Sequence, residues 1–482
     1  MGSLKSKVKN GLTWSFVDNI LLRAVTFIVM IFLTRILEPK DFGIIAIVTV
    51  FISLGNALIE GGLGNSIIRD NTADYEDFNA VFYGNLIISI LLYPILYFSA
   101  PLIALFFENN LVTNLIRVYG VTFIISAFYY VQHSLLIKQV LFQKIALYNT
   151  PAVIIGACIG ILSAYNGLGV WSLVYMQIAT LLFKSLIYWF ASAWRPRIGF
   201  SMNFLKKHIK FGYRLMVISV MDAISSEINS FIIGKNFNIS TLGFYNQSKT
   251  FRNYPVNLLS TIITSVTYPL LAAIKDNNKR FKELYSKILK SMFFLVTLFM
   301  IGLVVVAKPL FILLYTNKWL EAVPYFQLLA VAGILTPIHA FNTNLFKICN
   351  RTDLFLKIGI LKIILLITSL SIGVYFGIYG LLCAIIVSSL LGIFINTYHS
   401  KHLINYSTLD QLIDMYPIIL YAMVAFLLGS YSITLLEDKS NGLQLLTGSL
   451  VTFSVFIATA AISKSKSLNE VKELIKLFTQ KT

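Results

Sequence analysis

The chain has 482 residues, 57% of them hydrophobic and only 12% charged, about half the charged share of an average soluble domain, so a soluble globular protein is excluded. Its net charge of +18 is spread through short links between apolar runs instead of forming one patch, which argues against nucleic-acid binding and for a membrane protein with a basic cytoplasmic side. Three cysteines, Cys158, Cys349 and Cys383, lie in or beside apolar runs and suggest neither a disulfide framework nor a metal site.

Apolar runs of about twenty residues, the length a helix needs to cross a ~30 Å hydrocarbon core, recur along the whole chain. The sequence predicts an all-α polytopic membrane protein of about fourteen transmembrane helices. The spans fall near 12–34, 42–60, 79–105, 111–137, 147–165, 169–193, 211–233, 253–274, 288–315, 323–346, 354–376, 378–399, 416–436 and 442–463. Lys5, Lys7 and Lys9 precede the first run; no small-residue cleavage site follows it, so it reads as a retained span. Around Gly377 two spans are separated by almost nothing, which predicts a tight helical hairpin.

Fourteen spans put both termini on one side. With that side cytoplasmic, 25 Lys and Arg fall in or at the edge of the inside segments and 7 in the outside loops, so both ends are expected in the cytoplasm. The densest inside loops are "WRPRIGFSMNFLKKHIK" (194–210) and "KDNNKRFKELYSK" (275–287). The first predicts a short in-plane helix with Phe204, Leu205 and Ile209 toward lipid and Lys206, Lys207 and Lys210 toward anionic headgroups. The tail "SLNEVKELIKLFTQK" has helical spacing in Leu468, Val471, Ile475 and Phe478 and reads as an amphipathic surface anchor.

An internal repeat divides the chain. "RILEPKDFG" (35–43) and "KNFNISTLG" (235–243) match at an offset of 200, placing Arg35 on Lys235, Gly43 on Gly243 and Phe51 on Phe251. Six spans separate the copies, so both halves enter the membrane in the same direction, as in transporters whose halves are related by an axis along the membrane normal. The expected organisation is two pseudo-symmetric six-helix lobes, residues 1–200 and 201–402, then two C-terminal helices and a cytoplasmic amphipathic tail in 403–482.

Polar stripes mark the first two spans of each half. Span 1 carries Ser15, Asn19, Arg23 and Thr26; span 2 carries Thr49, Ser53, Asn56 and Glu60. Span 7 carries Ser219, Asp222, Ser226 and Asn229, and span 8 carries Asn253, Asn257, Ser260, Thr264 and Tyr268. Each set follows one helix face. Ser, Thr and Asn can simply join helices by hydrogen bonds. Charges at membrane depth are costly, however, so Arg23, Glu60, Asp222 and Glu227 point to a hydrated substrate cavity between the halves. Glu60, Asp222 and Glu227 are the candidates for ion coupling. Arg117 and Lys184 are single charges that could snorkel or pair structurally.

Several segments carry a family resemblance: "LTRILEPKDFGIIAIVTVF" (33–51), "GGLGNSIIR" (61–69), "GVWSLVYMQ" (169–177), "WRPRIGFS" (194–201), "FGYRLMVIS" (211–219) and "FIIGKNFNISTLGFYNQSKTF" (231–251). In their order and spacing they resemble the polysaccharide-export branch of the multidrug/oligosaccharidyl-lipid/polysaccharide exporter superfamily. Within it, the chain looks most like the Wzx-type flippases that resemble colanic-acid and teichuronic-acid exporters. The likeness is dense from about residue 5 to 275. It implies two six-helix lobes around a cavity lined by spans 1, 2, 7 and 8, in the bacterial cytoplasmic (inner) membrane. It also implies transfer of undecaprenyl-pyrophosphate-linked repeat units to the outer leaflet, with membrane lipids, a polysaccharide polymerase and glycosyltransferases as partners. Where the family often has an acid just before "IIGK", this chain has Asn229, with Glu227 two positions earlier. No cofactor is expected beyond coupling to H+ or Na+. Arg23 is the candidate for the pyrophosphate.

The alternatives on the same scaffold are a small-molecule antiporter and a peptidoglycan-precursor flippase. A membrane-embedded polymerase fits less well. The longest links run about 20 residues and hold no phosphate loop, metal cluster or nucleophile motif. His133, His208, His339, His399 and His402 are dispersed and read as interfacial.

Overall fold

The computed structural model describes residues 20–60, 62–199, 201–274, 277–349 and 351–479; among them the regular structure is helical and no strand occurs. By compactness the chain divides after Gly243. Twelve helical segments among the described residues are long and apolar enough to cross a membrane. The two further expected spans are the first, partly outside the described residues, and the one near 253–274, which is helical as far as Ala273.

The first unit holds α1 (20–36), α2 (Pro39–Glu60), α3 (Leu63–Arg69), α4 (Tyr75–Phe106), α5 (Leu111–Tyr119), α6 (Thr122–Lys138), α7 (Phe142–Tyr165), α8 (Trp171–Ala191) and α9 (Met202–Asn236). Local chemistry sets several of these ends. Asp74 and Asp77 form a reciprocal capping box that starts α4. The span expected at 111–137 bends at Gly120, which divides α5 from α6. In α7, Gly156 and Gly160 face Met176 and Thr180 of α8, the close approach that small residues four apart permit.

In this unit the segment at 202–210 is not an in-plane helix. It forms the first turns of α9, and Leu205 packs into a core with Leu63, Ile67, Val81, Phe82 and Trp194. Only Ile209 of the three expected lipid-facing residues is exposed. The preceding "WRPRIG" is fastened to the start of α4: the Tyr75 hydroxyl donates to the Arg195 carbonyl, and Asn79 bonds to Gly199 and to the Arg197 amide.

The second unit begins at Phe244, within α10 (Ile239–Ala273), and continues through α11 (Asn278–Val305), α12 (Ala307–Tyr315), α13 (Ala322–Ile334), α14 (Thr336–Ile348), α15 (Thr352–Val374), α16 (Gly377–Ile404), α17 (Thr408–Thr434), α18 (Asn441–Ile462) and α19 (Lys466–Thr479). The expected span at 288–315 breaks at Val306, and the one at 323–346 breaks at Leu335. Gly377 makes the α15–α16 hairpin at φ 74°, a conformation glycine adopts without strain. Phe281, Tyr285, Met292, Phe294 and Phe456 anchor the core.

The tail departs from a lipid anchor. Val471 and Leu468 of α19 pack against this core, Glu470 pairs with Lys290 at 2.9 Å, and Glu473 pairs with Lys287. Alternating acids on α19 find basic partners on α11, so the helix docks on protein.

Candidate functional site

α2 and α9 run antiparallel along the first unit and meet at both ends. At the Glu60 end, a Cβ on Gly62 would lie 2.5 Å from the Gly212 carbonyl oxygen. At the Pro39 end, one on Gly43 would lie 1.9 Å from the Ile239 oxygen, and one on Gly243 the same distance from the Pro39 oxygen. The repeat predicted by the sequence therefore packs against its own copy: residue 39 meets 243 as 239 meets 43. The α2 and α10 starts are capped from opposite ends of the same motif. Asp41 accepts from the Glu38 amide at 3.0 Å, and Asn238 accepts from the Thr241 amide at 2.7 Å.

A polar clasp fixes the beginning of α9 to α3 and α4. His208, 2% exposed, reaches Asp77 at 2.8 Å through Nε2 and Ser66 at 2.7 Å through Nδ1. The Lys207 ammonium bridges Asp70 at 2.7 Å and Asp77 at 3.1 Å. Lys207 and the Thr72 donors hold the Asp70 carboxyl well below the usual carboxylate range. Asp70, Asp77 and His208 offer ligand atoms within 4.8 Å of one another, but Lys207 already supplies the positive charge between the carboxylates. Ser66, His208 and Asp77 also share the connectivity of a hydrolase triad. The Ser66 hydroxyl is buried and donates to the Leu63 carbonyl at 2.6 Å, which leaves it no open side for attack. His208 is thus a structural residue of the first unit, not an interfacial one. His339 is likewise held inside the second unit by Ser389 and Asn396.

The expected substrate residues fall as follows. Asn19 lies outside the described residues. Arg23 and Thr26 lie on α1; Ser53, Asn56 and Glu60 on α2; Ser219, Asp222, Ser226, Glu227 and Asn229 on α9. Asp222, Ser226 and Glu60 are exposed. Ser226 donates to the Ala223 carbonyl and lies 3.3 Å from Glu227. Thr26 and Ser53 likewise donate to their own helices, at 2.7 and 3.0 Å. Such hydroxyls keep their lone pairs, so they can accept hydrogen bonds from a ligand. Asn257 and Thr264 lie on α10; Asn257 is exposed.

Three cations take places that periodicity did not reveal. Lys184 of α8 lies over the Tyr129 ring at 4.3 Å. Arg252, expected in an outside loop, stands thirteen residues into α10, roughly 20 Å along the helix. Its guanidinium donates to the neutral Asn253 side chain at 2.7 and 3.1 Å, and its stem packs beside Gly333. Arg117 lies over Tyr97 at 4.4 Å and reaches a backbone carbonyl, the behaviour of a packed structural charge. The second unit also carries an apolar cavity of about 670 Å³, lined by residues including Phe293, Ile301, Leu328, Leu390 and Phe426.

Comparison with known proteins agrees with these features. The chain is 24% identical over 377 residues to Lipopolysaccharide biosynthesis protein WzxC of Escherichia coli, covering 77% of this chain and 76% of that protein. It is 23% identical to Teichuronic acid biosynthesis protein TuaB of Bacillus subtilis, over 73% and 74% of the two chains. Among solved structures, the Lipid II flippase MurJ in an inward closed conformation superposes with a TM-score of 0.76 at 15% identity, covering 94% of this chain and 98% of that one. An inward-facing multidrug resistance transporter of the MATE family gives 0.63 at 18% identity, covering 79% and 95%. These two likenesses show a shared fold. The family described as "Polysaccharide biosynthesis protein" matches residues 32–324, and the chain belongs to that family.

Proposed function

We propose that this protein is a flippase for lipid-linked oligosaccharides. It moves repeat units carried on undecaprenyl pyrophosphate from the cytoplasmic to the outer leaflet of the bacterial inner membrane, for surface polysaccharide synthesis. The observation that carries this reading is a set of charged side chains, Arg23, Glu60, Lys184, Asp222 and Arg252, on the long helices α1, α2, α8, α9 and α10. An ionised group at membrane depth costs several kcal/mol and is retained where it meets water, a partner or a charged cargo.

The division of labour follows from the cargo. Its diphosphate suits the planar guanidinium fork of Arg23. Its sugar hydroxyls suit the acceptor lone pairs of Thr26, Ser53 and Ser226 and the amides Asn56, Asn229 and Asn257. Its prenyl chain needs only an apolar wall such as the cavity of the second unit. The chain, with fourteen spans in two six-span lobes (1–200 and 201–402) and both termini cytoplasmic, works by alternating access. Glu60, Asp222 and Glu227 couple the cycle to H+ or Na+. Glycosyltransferases supply the cargo and a polymerase consumes it. Deleting the gene should abolish surface polysaccharide and trap lipid-linked units on the cytoplasmic leaflet; normal polymer without such accumulation would contradict the reading.

A further inference from the structure

His339 of α14 sits where three helices of the second unit meet. On α16, the Ser389 hydroxyl lies 2.9 Å from its Nε2 and the Asn396 amide nitrogen 3.0 Å from its Nδ1. Gly392 falls between those two residues on the same face of α16. A Cβ there would lie 3.2 Å from His339 Cε1 and 3.7 Å from Lys362 Cε of α15. The two carbons are therefore no more than about 7 Å apart, a spacing at which two positive charges repel strongly away from water. Lys362 stands ten residues, roughly 15 Å, into α15 and is half-buried. Among the described residues no carboxylate pairs with it.

Other titratable groups on the packed helices have partners of their own. On α11, Lys290 pairs with Glu470 and Tyr285 packs on Phe341. On α13, Tyr325 meets Tyr379 of α16, and further along α16 both His399 and His402 meet Tyr398. Asp414 of α17 accepts from Tyr406 at 2.6 Å, and Asp410 caps its own helix. Lys347 of α14 lies over Phe355 of α15, where Asp353 pairs with Arg351 and Lys357 is exposed.

The shell of His339 suits two protonation states. With the Asn396 amide nitrogen on Nδ1 the ring is neutral: Nδ1 accepts, and Nε2–H donates to Ser389. Asn396 is fully buried, yet its carbonyl oxygen has no partner, an exception among buried polar groups. Turning the amide over brings that oxygen onto Nδ1, where it accepts from the second N–H of an imidazolium. Ser389 accepts from Nε2–H in both states. The orphaned oxygen is thus the acceptor that a charged ring needs.

We infer that His339 and Lys362 form a proton-binding site inside the second unit that holds one positive charge: the ammonium carries it while the imidazole is neutral, and the imidazole takes it when the ammonium is deprotonated. The proton reaches Nδ1 from water and Lys362 returns its own to water, so the charge of the site stays at one. Asn396 turns with each exchange. The site lies on α14, α15 and α16, apart from Glu60, Asp222 and Glu227 of the first unit. It goes beyond the flippase reading, because proton binding there needs no cargo.

Magic-angle-spinning NMR of the full-length protein in liposomes, with nitrogen-labelled histidine, tests this as pH is varied. Ring-nitrogen shifts separate both neutral tautomers from the imidazolium, and the signals missing from His339→Gln are those of His339. At neutral pH the native ring should be the neutral Nε2–H tautomer. Lys362→Met should raise its pH of half-protonation by about one unit, a tenfold gain in proton affinity, or about 1.4 kcal/mol. Lys362→Arg, whose charge is permanent, should keep the ring neutral at least as far into acid as in the native protein. Asn396→Leu should lower the midpoint, because the imidazolium loses a charge-assisted bond. An unchanged midpoint in Lys362→Met, a ring that protonates more readily in Lys362→Arg or in Asn396→Leu, or a native Nδ1–H tautomer would each overturn the site. Should Lys362→Met not fold, Lys362→Arg and Asn396→Leu decide. Normal flipping of lipid-linked cargo beside any of those results would leave the flippase reading standing. The expected titrations without flipping would keep the proton site and sink that reading.

Discussion

Gly43 rests against the backbone carbonyl of Ile239, and its repeat counterpart Gly243 rests in the same way against Pro39. Neither position has room for a methyl group, since an added Cβ would come within 1.9 Å of an oxygen. This reciprocal contact explains why "RILEPKDFG" and "KNFNISTLG" end on the same residue.

Gly43→Ala and Gly243→Ala should each destabilise the protein by about 1–3 kcal/mol, the usual cost of overpacking. Because both press on one contact, the double variant should lose less than the sum. Thermal unfolding in detergent measures this. Unchanged midpoints in both single variants would mean that the chains part there at no cost.

The clasp at the start of α9 gives a second expectation. Asp77 is 3% exposed and holds both His208 and Lys207, so Asp77→Ala leaves the buried His208 without its carboxylate and should cost about 3–5 kcal/mol. Lys207→Ala should cost much less, because that side chain is 47% exposed and solvent screens it. For Asp70 the sign is set by its lowered pKa: its contribution is present above the ordinary aspartate range and is lost as pH falls through the folded value. Asp70→Asn should therefore erase an acid-induced loosening of α9, read as hydrogen exchange in residues 202–210. Persistence of that loosening in the variant would move its cause elsewhere.

The reach of the sequence shows in these same elements. Apolar run lengths located the twelve helices long and apolar enough to cross a membrane among the described residues, and an offset of 200 found two segments that touch. Charge and spacing named Arg23, Glu60 and Asp222, because an ionised residue in an apolar run is visible without a fold. Lys184 was visible too, but its place over the Tyr129 ring depends on how α6 and α8 pack, which periodicity does not encode. Arg252 was misplaced because its polar neighbours "YNQSKTFRN" resemble a loop, although they continue α10. Amphipathic spacing in 202–210 and in α19 correctly marked a helix with two faces. It could not tell lipid from a protein surface, and Leu205 and Val471 are buried in protein.

Orientation rests on the uneven distribution of Lys and Arg. A reporter fused after Lys279 or at Thr482 should be cytoplasmic, and one after Asn109 or Lys439 external. An external signal at Lys279 would break the fourteen-span scheme.

For the diphosphate, Arg23→Ala should abolish export at normal protein levels, and Arg23→Lys should restore it only in part, since a point charge lacks the planar fork. Surface polysaccharide staining beside a membrane blot reads this directly. Full export by Arg23→Ala would make Arg23 a structural charge.

The most direct measurement is movement of a fluorescent undecaprenyl-diphosphate oligosaccharide across the bilayer of vesicles containing the purified protein, with and without a pH gradient. The account predicts protein-dependent transfer between leaflets that a gradient accelerates, with Asp222→Asn slower and blind to the gradient although it folds normally. The amide keeps the shape of the carboxylate but cannot carry its proton. Transfer no faster than in protein-free vesicles, under either condition, would contradict it.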